Sequence, residues 1–182
     1  MSSLGAIYLD SAIKRLLTYK HLGEKTFAQL DENDFHYAPN QESNSISVII
    51  RHLHGNMLSR WTNFLTEDGE KEGRNRDTEF IPPAIGKTAL LALWEEGWTC
   101  LLSALRALRD EDLLRTITIR GEPLIAIDAI NRQLAHYPHH VGQIVYIGKM
   151  IRNEKWQNLS IPRGASGDFN QQMKDQHTGN DR

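Results

Sequence analysis

Residues Thr88 to Leu108 read TALLALWEEGWTCLLSALRAL. Within them Leu90, Trp94, Trp98, Leu101, Leu105 and Leu108 recur at intervals of three and four, which places all six along one side of a helix. An apolar stripe this long and regular has to be covered by other elements of the same kind. Cys100 falls inside the stretch and reads as a small packing residue rather than a nucleophile. Trp94 and Trp98 are core residues before they are anything else.

Three more segments with helical periodicity supply the cover. The first runs from about Leu4 to Leu30, with Leu9, Ile13, Leu16 and Leu17 in front, Phe27 and Leu30 behind, and Gly23 weakening its middle. The second runs from Ile46 to about Leu65 and is capped by Asn44 or Ser45. The segment that closes the set runs from about Ile125 to Met150. Between the first two lies DENDFHYAPNQESN, Asp31 to Asn44, a loop rich in cap-forming side chains. Thr66 to Lys87 contains EDGEKEG, RNRD and Pro82-Pro83, a composition that excludes a regular element. A connection of that length usually serves a function or covers something, and it permits a crossover. Gly86-Lys87-Thr88 imitates the end of a phosphate-binding loop, but Ile81 stands where the earlier glycine belongs, so it reads as a helix start. In LLRTITIRGEPL, Leu113 to Leu124, alternation ahead of Gly121 predicts a short strand and turn, a small hairpin. The expected fold is all-α: a four-helix bundle over residues 1–165, with a long connection between its second and third helices and a short β-hairpin before the fourth. Residues 166–182, next to Pro162 and Gly164, are expected to form an irregular tail.

Composition narrows the function. The chain has 182 residues, 21 Lys and Arg against 23 Asp and Glu, and a net charge of −2, which gives no electrostatic reason to expect nucleic acid or an anionic membrane as partner. Cys100 is the one cysteine, which suits a reducing compartment. No apolar run approaches the ~18 residues of a membrane span. Asp10, Lys14 and Arg15 soon after Met1 do not make a secretory signal. A soluble, cytoplasmic single domain is expected.

The chain carries eight histidines. On a 100° wheel His136, His140, Gln143, Ile144 and Ile147 share one side of the last periodic segment with Ala129 and Gln133, a mostly apolar face that points inward. Imidazoles at i and i+4 can reach one ion. In IIRHLHGNM, His52 lies on a line with Asn56, Ser59 and Asn63, and His54 with Leu58, Trp61 and Leu65; the wheel does not choose between them. A third imidazole from either completes a facial set with an open position, as in catalytic zinc sites. Against this stands the plainer reading that an inward histidine is more often a hydrogen-bonded core residue. His21, His36 and His177 read as surface or loop, and His139 lies at an angle to the pair. There is no Glu-x-x-His, no His-Glu-x-x-His and no Cys-x-x-Cys.

The stretches IIRHLHGNMLSRWTNFLTEDGE, RNRDTEF, TIRGEP, HYPHHVGQIVYIGK and LSIPRGASGDFN together resemble a branch of uncharacterised bacterial proteins within the DinB-like superfamily of metal-binding four-helix proteins. The resemblance spans almost the whole chain. It implies one divalent ion held by His52, His136 and His140, with His52 rather than His54 at the motif position; zinc and nickel both suit imidazole ligands. It also implies homodimers. Pro138 departs from the pattern. Standing between the paired ligands, it removes a backbone hydrogen bond and crowds the Leu134 carbonyl, so a kink or local widening is expected, with His139 as the substitute ligand should the site be disturbed.

Relatives of this kind resemble either metal-dependent hydrolases or transferases of low-molecular-weight thiols. An ion on three neutral imidazoles acidifies water or thiol alike, so the motif does not separate the two. The expectation is therefore a metal-dependent thiol S-transferase or hydrolase acting on a small molecule, with Asn56 and Gln143 orienting ligands or water. The loop from Glu67 to Phe80, with Arg74 and Arg76, would cover the open side and hold an anionic co-substrate, unless it is simply a solvated charged loop. No carboxylate is placed beside the histidines, and no general base is named. The rival readings are a stress-associated protein that holds a metal or small ligand without catalysis, and a structural dimer whose histidines only satisfy core hydrogen bonds.

Overall fold

A computed structural model describes residues 3–178. The chain is mostly helical, with one small antiparallel sheet. Helix α1 spans Leu4–Phe27 and starts where Ser3 accepts a hydrogen bond from the Ala6 N–H at 3.1 Å. Its inner face carries Leu9, Ala12, Leu16, Gly23 and Phe27. Gly23 does not weaken the helix so much as let a neighbour in: a Cβ there would lie 2.6 Å from the Trp94 indole. Helix α2, Ile46–Trp61, is capped by Ser45. It stops four residues short of the expected Leu65, because Thr62 is extended and Asn63 adopts φ 50°, a left-handed conformation no helix continues through.

The connection that follows is not wholly irregular, contrary to the sequence expectation. Asn75 accepts from the Thr78 N–H and starts a one-turn helix α3, Arg76–Glu79. Helix α4, Lys87–Ala107, begins where Glu32 accepts the Lys87 N–H at 2.8 Å, so Gly86-Lys87-Thr88 is a helix start. Strands β1, Thr116–Ile119, and β2, Glu122–Ile125, form the hairpin in the register Thr116↔Ile125 and Ile119↔Glu122. Its two turn residues, Arg120 and Gly121, have φ of 58° and 74°, the positive pair that a type I′ turn requires. Asp68 clips the long connection to this turn, accepting the N–H groups of Arg120 and Gly121 at 2.8 Å each.

Helix α5 spans Ala126–Arg152 and remains helical through Pro138. Among the described residues the tail is helical too: α6 covers Ser166–Thr178, where an irregular segment was expected, and its side chains from Ser166 to Gln176 are all exposed. Residues 179–182 of the expected tail lie outside the described residues.

The four long helices pack edge to edge, α2 with α4 and α1 with α5 most closely, then α1 with α4 and α2 with α5. Leu16, Ile50, Leu53, Met57, Trp98, Leu101, Tyr137, Val141 and Ile144 fill the space between them. No helix of the described residues is long and apolar enough to cross a membrane.

Candidate metal centre

Helices α2 and α5 each turn one histidine-bearing face toward the other. His52 is buried on α2, and His136 and His140, half-buried, lie one turn apart on α5. The Nε2 atom of His136 is 3.3 Å from that of His52 and 3.1 Å from that of His140. One nitrogen from each ring falls within 4.8 Å of the other two, close enough to hold a metal ion. The rings converge although Pro138 stands between two of them.

The outer nitrogens are all engaged. His52 Nδ1–H donates to Glu79 Oε2 at 2.9 Å, His136 Nδ1–H to Gln133 Oε1 at 3.2 Å, and His140 Nδ1–H to Gln143 Oε1 at 2.8 Å. An oxygen acceptor at each Nδ1 puts the ring proton there and leaves the lone pair on Nε2. Three lone pairs then face one point with no hydrogen to share between them. Such a cluster is satisfied by a cation, and imidazole nitrogens braced by outer hydrogen bonds are what a metal site is built from. Burial, together with the neighbouring His140 and His52 rings, lowers the His136 pKa to about 3. Burial likewise lowers that of His140 to about 4, the Gln143 hydrogen bond opposing and His52 adding to the shift. Both rings are therefore neutral at pH 7, as ligation requires.

Glu79 is the residue that sequence reasoning missed. It lies on α3 and is buried; its two oxygens accept from His52 and, in a bidentate pair at 2.8 and 2.9 Å, from Arg74. Burial works to raise its pKa, and the hydrogen bonds from His52 and Arg74 outweigh it, holding the carboxyl below its ordinary range. Gly55 makes the room, since a Cβ on α2 at that position would collide with the carboxylate. Asn75, a good cap residue four positions earlier, was a local sign of a helical turn; nothing local aimed Glu79 at His52. With both oxygens occupied Glu79 orients a ring and is not a free base.

The other candidates fall as follows. His54 points away, Nε2 meeting Glu96 of α4 at 3.0 Å. His139 is exposed and accepts from Gln143 Nε2 at 3.2 Å, so it does not join the cluster. His21 and His36 are exposed, and the His177 side chain lies outside the described residues. Asn56 is buried beside the histidines, where its Oδ1 accepts from the Tyr137 hydroxyl at 3.0 Å. Arg74 is not free for a co-substrate, because Glu79 and Glu70 hold it. Cys100 sits on α4 near the Met57 carbonyl, a packing position.

A cavity of about 400 Å³ opens on the histidines and also touches Asn56, Phe80 and Gln133; among the described residues no Asp or Glu lines it. A larger one of about 630 Å³, next to His139, Tyr146 and Met150, does not include the three clustered histidines.

Residues 3–165 match the family described as "Protein of unknown function (DUF1572)", and the chain belongs to that family. No curated protein matches the sequence.

Proposed function

We propose that this member of the DUF1572 family is a DinB-like four-helix-bundle protein that holds one divalent ion, zinc or nickel, on His52, His136 and His140 and acts as a metal-dependent thiol S-transferase or hydrolase. The carrying observation is the arrangement of the three rings: each outer nitrogen donates to an oxygen, and all three inner lone pairs face one point. A structural role in core hydrogen bonding would leave those inner nitrogens unsatisfied. When bound there by three neutral ligands, an ion keeps its full charge and favours the deprotonated form of a thiol or water beside it.

Around it the residues have separable tasks. Glu79, Gln133 and Gln143 hold the ring protons on Nδ1 and fix the ring planes. Phe80, whose ring centroid lies 4.8 Å from that of His52, shields that ring from water. Among the described residues no carboxylate lines the cavity, so no general base is assigned to either reaction. The same observation supports the alternative of a non-catalytic protein that binds a metal or small ligand. Homodimers belong to the proposal through the superfamily resemblance, and a cytoplasmic location through the single cysteine, which suits a reducing compartment.

Elemental analysis of purified protein tests the site: about one ion per chain is expected, lost in the His136→Ala/His140→Ala double variant. Metal-free protein whose stability ignores added zinc and nickel would sink the proposal. Turnover separates enzyme from binder. Metal-loaded protein should transfer small thiols to electrophiles faster than the double variant, and equal rates leave the binding reading.

A further inference from the structure

Five guanidinium groups converge on the cavity that opens on the histidines: Arg60 from α2, Arg74 and Arg76 from the connection around α3, Arg120 from the hairpin turn and Arg132 from α5. Since the chain as a whole carries a net charge of −2, this is a matter of placement and not of composition. Two carboxylates answer the five. Glu79 takes Arg74, and Glu70 takes Arg60 at 3.0 Å, Arg120 at 3.0 Å and the far side of Arg74 at 3.4 Å. Neither carboxylate lines the cavity. Arg76 and Arg132 meet no carboxylate among the described residues.

Arg76 is positioned rather than adrift. Its guanidinium lies over the Phe80 ring at 4.9 Å, and Phe80 in turn lies against His52. Arg120 stands at a turn position with φ 58°, in the left-handed region where a type I′ turn prefers Asn, Asp or Gly. An exposed guanidinium on a convex surface is ordinarily left to water. Here the charges line a concave wall, which concentrates their field, and planar guanidinium forks match carboxylate and phosphate oxygens.

We propose that this cavity binds a small organic anion, with Arg76 and Arg132 gripping its carboxylate or phosphate while the remainder of the molecule reaches toward His52, His136 and His140. The direction of that reach rests on the three histidines being a metal centre; the anion grip itself does not.

The test uses full-length protein loaded with cobalt(II), whose absorption reports thiolate binding. Mercaptosuccinate and 2-mercaptoethanol are titrated separately, and succinate and inorganic phosphate are titrated into metal-free protein by calorimetry. Mercaptosuccinate is expected to bind about tenfold tighter than mercaptoethanol, or more, through charge-assisted contacts. That ratio should collapse in Arg76→Gln/Arg132→Gln and persist in Arg15→Gln/Arg106→Gln, which changes two arginines outside the cavity lining. If cobalt binds but the ratio is near one, or is untouched by Arg76→Gln/Arg132→Gln, the anion site is overturned and the metal centre stands. If cobalt does not bind, the metal centre fails, and calorimetry decides: succinate or phosphate binding abolished by Arg76→Gln/Arg132→Gln upholds the anion site, and its absence overturns it. Whichever of the two anions binds more tightly identifies the head group.

Discussion

Glu79 and Gly55 form a pair whose members make sense only together. The carboxylate reaches His52 because the facing residue on α2 has no side chain, and the hydrogen bond holds the imidazole with its lone pair inward. Replacing Glu79 by Gln weakens an outer support of a ligand, a change that typically costs 10–100-fold in metal affinity. Gly55→Ala should push the carboxylate off His52 and lower zinc affinity in the same direction. Because the two changes break one contact, the double variant should be little worse than Glu79→Gln alone. Calorimetric zinc titration of the three variants checks this, and additive losses would contradict the shared contact. Arg74 belongs to the same unit, since it neutralises the carboxylate from the other side.

At the scale of elements, α5 runs through Pro138 and still brings His136 and His140 to 3.1 Å. The proline leaves the Leu134 carbonyl without its helical donor, a defect of up to ~3 kcal/mol in a regular helix. Pro138→Ala should therefore raise the denaturation midpoint. Zinc affinity should stay within a few-fold, because Gln133 and Gln143, not the proline, aim the rings. A large loss of affinity would show that the distortion itself converges the ligands. The hairpin offers a second element-level test. Backbone N–H groups of Glu70, Gly121 and Arg120 hold the Asp68 carboxyl well below the usual carboxylate range. A carboxyl depressed in the folded state contributes stability that is present above its unfolded pKa of about 4 and is lost as pH falls toward the folded value. Asp68→Asn should thus be less stable than the parent at pH 7, and the gap should narrow below pH 4 in denaturant melts at the two pH values. A second bond closes the same junction, the Gly69 N–H donating to the Thr118 carbonyl at 2.8 Å.

For the whole molecule, the histidines on α2 and α5 tie two helices that are distant in sequence, so ligand binding should stabilise the entire fold. An ion at 100 times its dissociation constant adds about 2.7 kcal/mol, which for a domain of this size corresponds to about 5–10 °C in midpoint. Zinc should produce that shift in the parent and none in His136→Ala/His140→Ala; equal shifts would place the binding elsewhere. The long helices, the hairpin and the His136–His140 pair were legible along the chain, because each expresses a local period of 3.6, 2 or 4 residues in the pattern of apolar and imidazole side chains. Periodicity failed where it was interrupted or absent. It ran past the end of α2, missed the single turn of α3, and left Ser166–Thr178 irregular although that segment is helical. The choice of His52 over His54 followed from resemblance and not from the wheel, and geometry places His54 against Glu96 instead. Arg74 and Arg76 stood out along the chain as a basic pair, but Glu79, the space left by Gly55 and the arginines that join them at the cavity, Arg60, Arg120 and Arg132, come from separate segments that no local pattern relates. Periodic burial is written residue by residue, whereas the meeting of charges and lone pairs depends on how separate helices and loops pack, which is a property of the folded chain alone.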